Sequence, residues 1–294
     1  MPIKRILLVH GIGHQTPTFS DSWVEAIQAA VPRAKVGVEF KGLWWEDLRQ
    51  KAAQRYPIIS RNFASVLEGF GIKELKQILD SKTYQLVHSY VMDVLVYVGL
   101  PDMTLYFENE CFKRLKALSQ GREGEALIIS HSLGSAMIPH VLWRIRQNTG
   151  SIPYHSLILL ATPLGFASPI DWAIADFLEI MGRGSHTDRA ATLRAFALAF
   201  SRNGDNRLHI LSNRNDIVCS DARFPLLGDR RDVIPVRQGF DDDEVALLNA
   251  ANPGCHRQLA FGEAEAGCVG GNHDVFTYFR QPEFKTALES LLDA

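Results

Sequence analysis

Four short apolar runs are the feature that most constrains the fold of this chain of 294 residues. Each run is rich in Ile, Leu and Val, and helical patterns and turns containing Gly, Pro or Asn separate one run from the next. The runs are RILLVH (5–10), EALIIS (125–130), SLILLAT (156–162) and RLHILS (207–212). Continuous apolar runs of this length are typical of strands that are buried on both faces of a parallel sheet. The sequence therefore predicts an α/β fold, with a mostly parallel central sheet and helices on both of its faces.

Two further elements are predicted near the start of the chain. Apolar residues at helical spacing predict a helix over FSDSWVEAIQAAV (19–31), with Ser20 or Asp21 as its N-cap. The segment KVGVEFKGLWW (35–45) predicts another strand. Strands and helices therefore alternate from the first apolar run onward.

Helical patterns dominate two longer segments, residues 45–121 and 168–202. The first segment contains more helical sequence than a single crossover between parallel strands requires. We interpret both segments as candidate helical insertions that form a cap. No repeat, low-complexity tract or linker divides the sequence, so we expect a single domain that carries these insertions.

Charge and hydropathy exclude several classes of partner. The 31 basic and 33 acidic side chains give a formal net charge of −2 without a basic tract, so we expect no nucleic-acid partner. The apolar run after Arg5 is too short for the core of a signal peptide. The stretch VMDVLVYVGL (91–100) carries Asp93 and is shorter than the roughly 20 residues of a membrane span. We therefore expect a cytoplasmic protein with no transmembrane segment.

The four cysteines are expected to be reduced thiols, mostly in the role of small buried hydrophobic residues. A disulfide between Cys255 and Cys268 is the alternative. These two cysteines, with His256 and His273, also suggest a zinc site, but they lack the paired two-residue spacing of structural zinc sites. We expect no metal and no cofactor.

The segment ALIISHSLGSAM (126–137) predicts a nucleophile at Ser132. A sharp strand-to-helix turn, or nucleophile elbow, holds such a serine in a strained backbone conformation, and small residues two positions away, here Ser130 and Gly134, tolerate that turn. The helix that begins there directs free backbone N–H groups and the positive end of its dipole toward the same place. The alternative is an ordinary strand followed by a helix with a serine N-cap.

The segment LLVHGIGHQ (7–15) is a candidate oxyanion loop. Its glycines, Gly11 and Gly13, allow the backbone to turn N–H groups toward a substrate, and His10 is expected to brace the loop. The alternative is a phosphate-binding loop, but the segment lacks the Gly-x-Gly-x-x-Gly spacing and a Lys-Ser/Thr ending.

Two backbone N–H groups are the expected oxyanion donors. They belong to Ile12, in the glycine-containing loop, and to Leu133, the residue after the predicted nucleophile.

A nucleophilic serine needs a base, and the base needs an acid that orients it. Asp216 follows the strand near residue 210, at the carboxyl end where the sites of open α/β sheets lie. His273 lies in the glycine-containing loop GGNHDVF (270–276), before a final amphipathic helix. The order Ser132, Asp216, His273 matches the serine, acid, histidine order of α/β hydrolases.

Rivals for these roles exist by residue type. Asp171 competes for the acid position, and Asp216 itself can be a turn cap. His10, His131 and His256 compete by type but not by position, and we expect the side chain of His131 to point away from the elbow and to pack or hydrogen-bond locally.

Together, VHGIG, SHSLG, NRNDIV and GGNHD resemble the α/β-hydrolase superfamily on its lipase and esterase side, from residue 5 to residue 275. The His-Gly strand at the start of the chain resembles the compact bacterial lipases. VHGIG with SHSLG is also similar to the intracellular phospholipases that carry a DDHD domain.

The resemblance implies hydrolysis of an acyl ester, with a small ester or a lipid as substrate and without a cofactor. Ser132 attacks the carbonyl, His273 transfers the proton, and Asp216 holds the imidazole in the required tautomer. A thioesterase or amide hydrolase with the same residues is one alternative. A binding protein that keeps the fold without the chemistry is the other.

The segment SPIDWAIADFLEIMGRG (168–184) is a candidate acyl-binding wall. Apolar residues, Trp172 and Phe177 among them, cover more of its helix surface than one packing stripe needs. The alternative is a core helix that packs on the sheet.

Overall fold

The computed structural model describes residues 3–11, 15–48, 51, 101–162, 189–202, 205–216, 219, 240, 242–262 and 272–293. The strands are β1 (Arg5–Val9), β2 (Glu39–Leu43), β3 (Ala126–His131), β4 (Ser156–Leu160), β5 (Ser201–Arg202), β6 (Asp205–Asn206), β7 (Leu208–Asn213) and β8 (His256–Leu259). The helices are α1 (Phe19–Ala30), α2 (Pro101–Ser119), α3 (Leu133–Thr149), α4 (Arg189–Ala199), α5 (Asp242–Ala251), α6 (Val275–Arg280) and α7 (Pro282–Asp293). Short 3₁₀ turns lie at Pro32–Lys35 and Glu123–Glu125.

The main sheet has six parallel strands in the order β2-β1-β3-β4-β7-β8. The four apolar runs form its four inner strands, β1, β3, β4 and β7, which confirms the predicted α/β fold with a parallel central sheet. The strand predicted over residues 35–45 is the edge strand β2. Strand β8, at the opposite edge, was not predicted. Strands β5 and β6 form a separate antiparallel pair.

Side chains alternate between the two faces of the sheet, and each face has its own core. Along β1, Leu7 and Val9 belong to the core that includes residues of α2 to α5, whereas Ile6 and Leu8 belong to the core that includes residues of α1, α6 and α7. All four side chains are fully buried. The fold therefore has three layers, and the inner strands are apolar on both sides because helices cover both sides.

The N-terminus of helix α1 differs from the prediction. The helix begins at Phe19 after Thr18, and Thr18 makes no side-chain capping hydrogen bond. Ser20 and Asp21 are inside the first turn, so the prediction that one of them is the N-cap is wrong. The buried ring of Phe19 packs edge-on against the Trp23 ring, and this contact places Phe19 within the helix.

The described parts of the two candidate insertions pack on the sheet. Helix α2, at the end of segment 45–121, buries Phe107, Cys111 and Leu115 in the same core as Leu7 and Val9. Helix α4, in segment 168–202, lies on that face as well, and Phe196 and Ala197 are buried there. These parts belong to the covering layer of the sheet. Residues 52–100 and 163–188 lie outside the described residues.

Three cysteines, Cys111, Cys219 and Cys255, are buried free thiols. Cys268, the second residue of the alternative disulfide, lies outside the described residues. Within the described ranges, no helix combines the length and apolarity that crossing a bilayer would require.

Candidate active site

Ser132 lies at the sharp turn between β3 and α3. Its backbone has φ 55° and ψ −129°, a region that residues with a side chain rarely adopt. Its N–H donates to the carbonyl of Leu160 at 3.0 Å, and its carbonyl accepts from the N–H of Ser135 at 2.8 Å. Neighbouring backbone groups therefore maintain the strained conformation that the sequence predicted for this residue.

Two glycines allow the turn to lie directly against the end of β1. A Cβ atom on Gly11 would be 2.4 Å from Cβ of Ser132, and a Cβ atom on Gly134 would be 2.5 Å from the carbonyl oxygen of His10. Both distances are shorter than any van der Waals contact. The glycines are therefore needed for this close approach. Neither of them has a positive φ, so space, and not backbone conformation, requires glycine at both positions.

Buried hydroxyl groups hold the first turn of α3 against β4. Oγ of Ser135 donates to the carbonyl of Leu160 at 3.0 Å and lies 3.2 Å from Oγ of Ser130. The Thr162 hydroxyl donates to the carbonyl of Ser135 at 3.1 Å. Ser130 is thus a partner in this network as well as the small residue that the turn requires.

Asp216 follows β7 in a tight turn and is completely buried. Its N–H donates to the carbonyl of Asn213 at 3.0 Å. The side-chain oxygen of Asn213 accepts from the N–H groups of Asn215, at 3.2 Å, and Phe261, at 3.3 Å. This set of bonds places the Asp216 carboxylate at the carboxyl end of the sheet, as predicted.

His273 lies in the loop before α6. On one side of it, the amide of Asn272 donates to the carbonyl of Asn215 at 3.0 Å, which ties this loop to the turn that carries Asp216. On the other side, Asp274 is the N-cap of α6 and accepts from the N–H of Phe276 at 3.3 Å. The loop is therefore anchored on both sides of the imidazole.

The three side chains form one hydrogen-bonded chain. Nε2 of His273 lies 2.8 Å from Oγ of Ser132. Nδ1 of His273 lies 2.9 Å from Oδ2 and 3.1 Å from Oδ1 of Asp216. Because an ionised carboxylate can only accept, Nδ1 carries the proton, and Nε2 of the neutral ring accepts from the Ser132 hydroxyl.

The hydrogen-bonded side chains of Ser132, His273 and Asp216 are suited to one kind of chemistry. Nε2 is positioned to take the Ser132 proton when the hydroxyl attacks an electrophile, and Asp216 is positioned to hold the tautomer that leaves Nε2 free. Ser132 is 1% exposed and the His273 side chain is 16% exposed, so both groups lie largely out of contact with water.

The structure describes one of the two expected oxyanion donors, Leu133. Leu133 is the first residue of α3, a helix of 17 residues, so its N–H belongs to the unpaired positive end of that helix. Ile12 and Gly13 lie outside the described residues.

His10, at the start of the predicted oxyanion loop, has partners on both ring nitrogens. Nδ1 lies 2.7 Å from the carbonyl of Gly11, and Nε2 accepts from the backbone N–H of Trp45 at 3.2 Å. Its ring is stacked on the indole of Trp45 with centroids 4.9 Å apart. Burial lowers the pKa of His10 to about 4, although the bond to Gly11 opposes this. His10 is therefore a neutral, rigidly held ring.

His131, predicted to point away from the turn and to pack locally, packs against His273 itself. The two ring centroids are 4.7 Å apart, and the rings of Trp23 and Tyr278 lie edge-on to His131. Burial keeps the pKa of His131 well below its usual value, and the neighbouring His273 lowers it further, although a hydrogen bond from the His131 ring to the His273 backbone opposes the shift. Within the described part of the chain, Nε2 of His131 has no hydrogen-bond partner.

Tyr278, on α6, is a member of the site that was not predicted from the sequence. Its hydroxyl donates to Oδ2 of Asp216 at 2.8 Å. Only the five-residue separation from His273 was visible in the sequence, and an aromatic residue in a short apolar helix normally indicates core packing.

The remaining residues named from the sequence are either outside the described residues or outside the candidate site. Asp171, Trp172 and Phe177 are outside the described residues. His256 is on the edge strand β8, where Nε2 lies 3.3 Å from Oγ of Ser212. The Cys255 thiol donates to the carbonyl of Leu248.

No set of three or more His, Cys, Asp or Glu side chains in the described ranges is placed to bind a metal ion.

Comparisons with protein-family models, with curated proteins and with solved structures found no match to this chain.

Proposed function

We propose that the chain is a serine hydrolase of the α/β-hydrolase type that cleaves acyl esters through an acyl-enzyme on Ser132. The observation that carries this proposal is the continuous hydrogen-bonded chain from Oγ of Ser132, through both nitrogens of His273, to the Asp216 carboxylate. Each of the three residues comes from a different loop at the same edge of the sheet. Their convergence supports a catalytic role, because packing alone does not require this order of donor and acceptor.

In the first half of the proposed reaction, Oγ of Ser132 attacks the carbonyl carbon of the ester and its proton passes to Nε2 of His273. The carbonyl electron pair moves onto oxygen and gives a tetrahedral oxyanion. The C–O bond to the leaving group then breaks, and the proton on Nε2 passes to the leaving oxygen. An alcohol departs, and the acyl group remains as an ester on Ser132.

In the second half, a water molecule replaces the alcohol. Nε2 of His273 takes a proton from the water as its oxygen attacks the acyl carbon, and it returns this proton to Oγ of Ser132 when the acyl-enzyme breaks down. The carboxylic acid leaves and the serine is regenerated. Asp216 stabilises the imidazolium that forms in each half.

The N-terminus of α3 supports the oxyanion in this proposal. The Leu133 N–H is free of intrahelical bonding and lies next to the nucleophile, as a donor to a developing negative charge must. Removal of one such donor typically costs about 10²- to 10³-fold in rate. The Ile12 N–H is the proposed second donor, on the covalent continuation of the Gly11 segment that lies against Ser132.

The substrate class that this site supports is a small acyl ester or a lipid. The experiment is hydrolysis of soluble p-nitrophenyl esters of increasing acyl length by the parent protein and by Ser132→Ala. We expect hydrolysis by the parent and only background hydrolysis by the variant, with unchanged melting temperature, because alanine fits the same buried space.

Ser130→Ala is the matched control, since it removes a hydroxyl from the same turn and leaves the three-residue chain intact. We expect it to hydrolyse the esters. Equal ester hydrolysis by the parent and Ser132→Ala, or none by the parent, would contradict the proposed function.

A further inference from the structure

Asp216 is bound from two sides by one short segment of the chain. His273 precedes α6 and Tyr278 is within it, and both side chains return to the same carboxylate. The Tyr278 hydroxyl donates to Oδ2 of Asp216 at 2.8 Å, the oxygen that also lies 2.9 Å from Nδ1 of His273. Asp216 and His273 are therefore connected twice. One connection is their direct hydrogen bond, and the other runs through α6, which follows His273 and carries Tyr278.

The Tyr278 side chain has almost no freedom to move. It is 0% exposed, the ring of Phe261 packs edge-on against it with centroids 5.0 Å apart, and the ring of His131 lies 5.9 Å away. A buried aromatic ring in this setting holds its hydroxyl at a fixed point. The bond to Asp216 is thus imposed by the core and not by a flexible surface contact.

The hydroxyl is a donor to Asp216 and not an alternative base. Burial raises the pKa of Tyr278 well above its usual value, and the nearby Cys219 and Asp216 raise it further. Sγ of Cys219 lies 3.3 Å from the same hydroxyl, and Cys219 also contacts Asp216. With its proton committed to the carboxylate, the Tyr278 oxygen can act toward the thiol only as an acceptor.

A completely buried carboxylate needs such donors. Without them, its charge is costly to bury, and its oxygens are free to rotate away from the imidazole. The turn after β7 holds the backbone of Asp216, but the orientation of the carboxyl group depends on what its side-chain oxygens bind. Tyr278 donates to Oδ2, the carboxylate oxygen that lies nearer to Nδ1 of His273.

We propose that Tyr278 is a positioning residue, which fixes the Asp216 carboxylate and through it the orientation and tautomer of His273. This inference rests on the proposed function for its effect on rate. Its effect on the Asp216–His273 hydrogen bond is independent of any activity.

The experiment compares Tyr278→Phe with the parent and with Tyr154→Phe. Tyr154 is the matched control, because it is also buried and its hydroxyl is bound to Oγ of Ser119, outside the candidate site. Two quantities are measured: the kcat and KM for a soluble ester, and the proton NMR resonance of the His273 Nδ1–H, assigned by its loss in His273→Gln.

We expect Tyr278→Phe to lower kcat by about 10- to 100-fold, the size of a lost hydrogen bond to a charged group, with a KM close to that of the parent. We expect its Nδ1–H resonance to be broadened by exchange with water. Tyr154→Phe should retain the kcat and the resonance even if its melting temperature falls, which separates positioning from a general loss of stability.

An unchanged Nδ1–H resonance in Tyr278→Phe, with or without ester hydrolysis by the parent, would overturn the proposal. A parent protein without Ser132-dependent hydrolysis would overturn the proposed function alone, since the resonance then still decides whether Tyr278 positions His273.

Discussion

His273 and His131 lie with their rings 4.7 Å apart, yet the two environments are opposite. His273 is in a loop, is partly exposed, and has an acceptor on one nitrogen and a hydroxyl donor on the other. His131 is at the buried end of β3, and burial holds its pKa well below the usual value. The partners of each ring, and not residue type or proximity, therefore make His273 a candidate base, whereas His131 packs against the His273 ring and hydrogen-bonds to the His273 backbone.

The largest effect should come from His273→Gln. The variant removes the imidazole that connects Ser132 with Asp216, and loss of a triad member typically costs about 10⁴- to 10⁶-fold in kcat. Its melting temperature should change little, because the ring is partly exposed. Steady-state ester hydrolysis and thermal unfolding measure the two effects, and a kcat within tenfold of the parent value would remove His273 from the base role.

A smaller loss is expected for Gly11→Ala. The added methyl group would lie 2.4 Å from Cβ and 3.0 Å from Oγ of Ser132, so it must displace the serine relative to His273. Misplacement by about 1 Å typically costs about 100-fold in rate. We expect a loss of this order in kcat/KM for a short-chain ester.

Gly150→Ala is the control for this prediction. Gly150 has φ +79°, and a methyl group added there would meet no described atom within 4 Å, so alanine strains the backbone without touching the site. A fall in stability with normal kcat/KM is expected. Similar kcat/KM losses in both glycine variants would mean that stability, and not the position of Ser132, controls the rate.

His131→Phe should have the smallest effect on rate. Phenylalanine keeps an aromatic ring between Trp23, Tyr278 and His273. It removes the hydrogen bond of the His131 ring to the His273 backbone, together with the buried Nε2 for which the described residues provide no partner. We expect kcat to fall by less than about tenfold. A loss as large as that of His273→Gln would show that the two histidines act as one unit in catalysis.

Because it contains buried histidines, the folded protein is expected to lose stability in acid. Burial lowers the pKa of His209 to about 4, and the charge of Arg257 contributes to this. An unfolded histidine titrates near 6.5, so below that pH the unfolded state binds more protons than the folded state. The contribution of neutral His209 to stability is therefore complete above about pH 6.5 and is lost as the pH falls toward 4.

His209→Leu tests this with urea unfolding at pH 7 and pH 4.5. The quantity compared is the free energy of unfolding of the variant minus that of the parent. This difference should be more favourable to the variant at pH 4.5 than at pH 7, by about 2–3 kcal/mol. An equal difference at both pH values would mean that His209 takes up its proton in the folded protein.

Much of the fold was predictable because the inner strands are buried on both faces. Such strands leave continuous Ile, Leu and Val runs in the sequence, whereas the edge strand β8 has the sequence HRQL, in which Arg257 and Gln258 are not buried. A four-residue strand with two polar positions has no apolar signature. The start of α1 was missed for a related reason, since a buried Phe19 outweighed the capping preference of Ser20 and Asp21.

Ser132, Asp216 and His273 were predictable as candidates because each follows a recognisable strand end or glycine-containing loop. Tyr278 was not, because its role depends on a hydrogen bond to a residue 62 positions away. In the sequence, Tyr278 is an aromatic residue in a short helix, as the neighbouring core residue Phe279 is, and nothing distinguishes the two. The packing of His131 against His273 depends likewise on how two distant loops meet at the edge of the sheet.

The most direct test of the account is reaction of the folded protein with a serine-directed fluorophosphonate, followed by peptide mass spectrometry. We expect one phosphonyl adduct on Ser132, no adduct in Ser132→Ala, and strongly slowed labelling in His273→Gln but not in His131→Phe. An unlabelled parent protein, or labelling that persists in Ser132→Ala, would contradict the claim that the hydrogen-bonded chain activates Ser132.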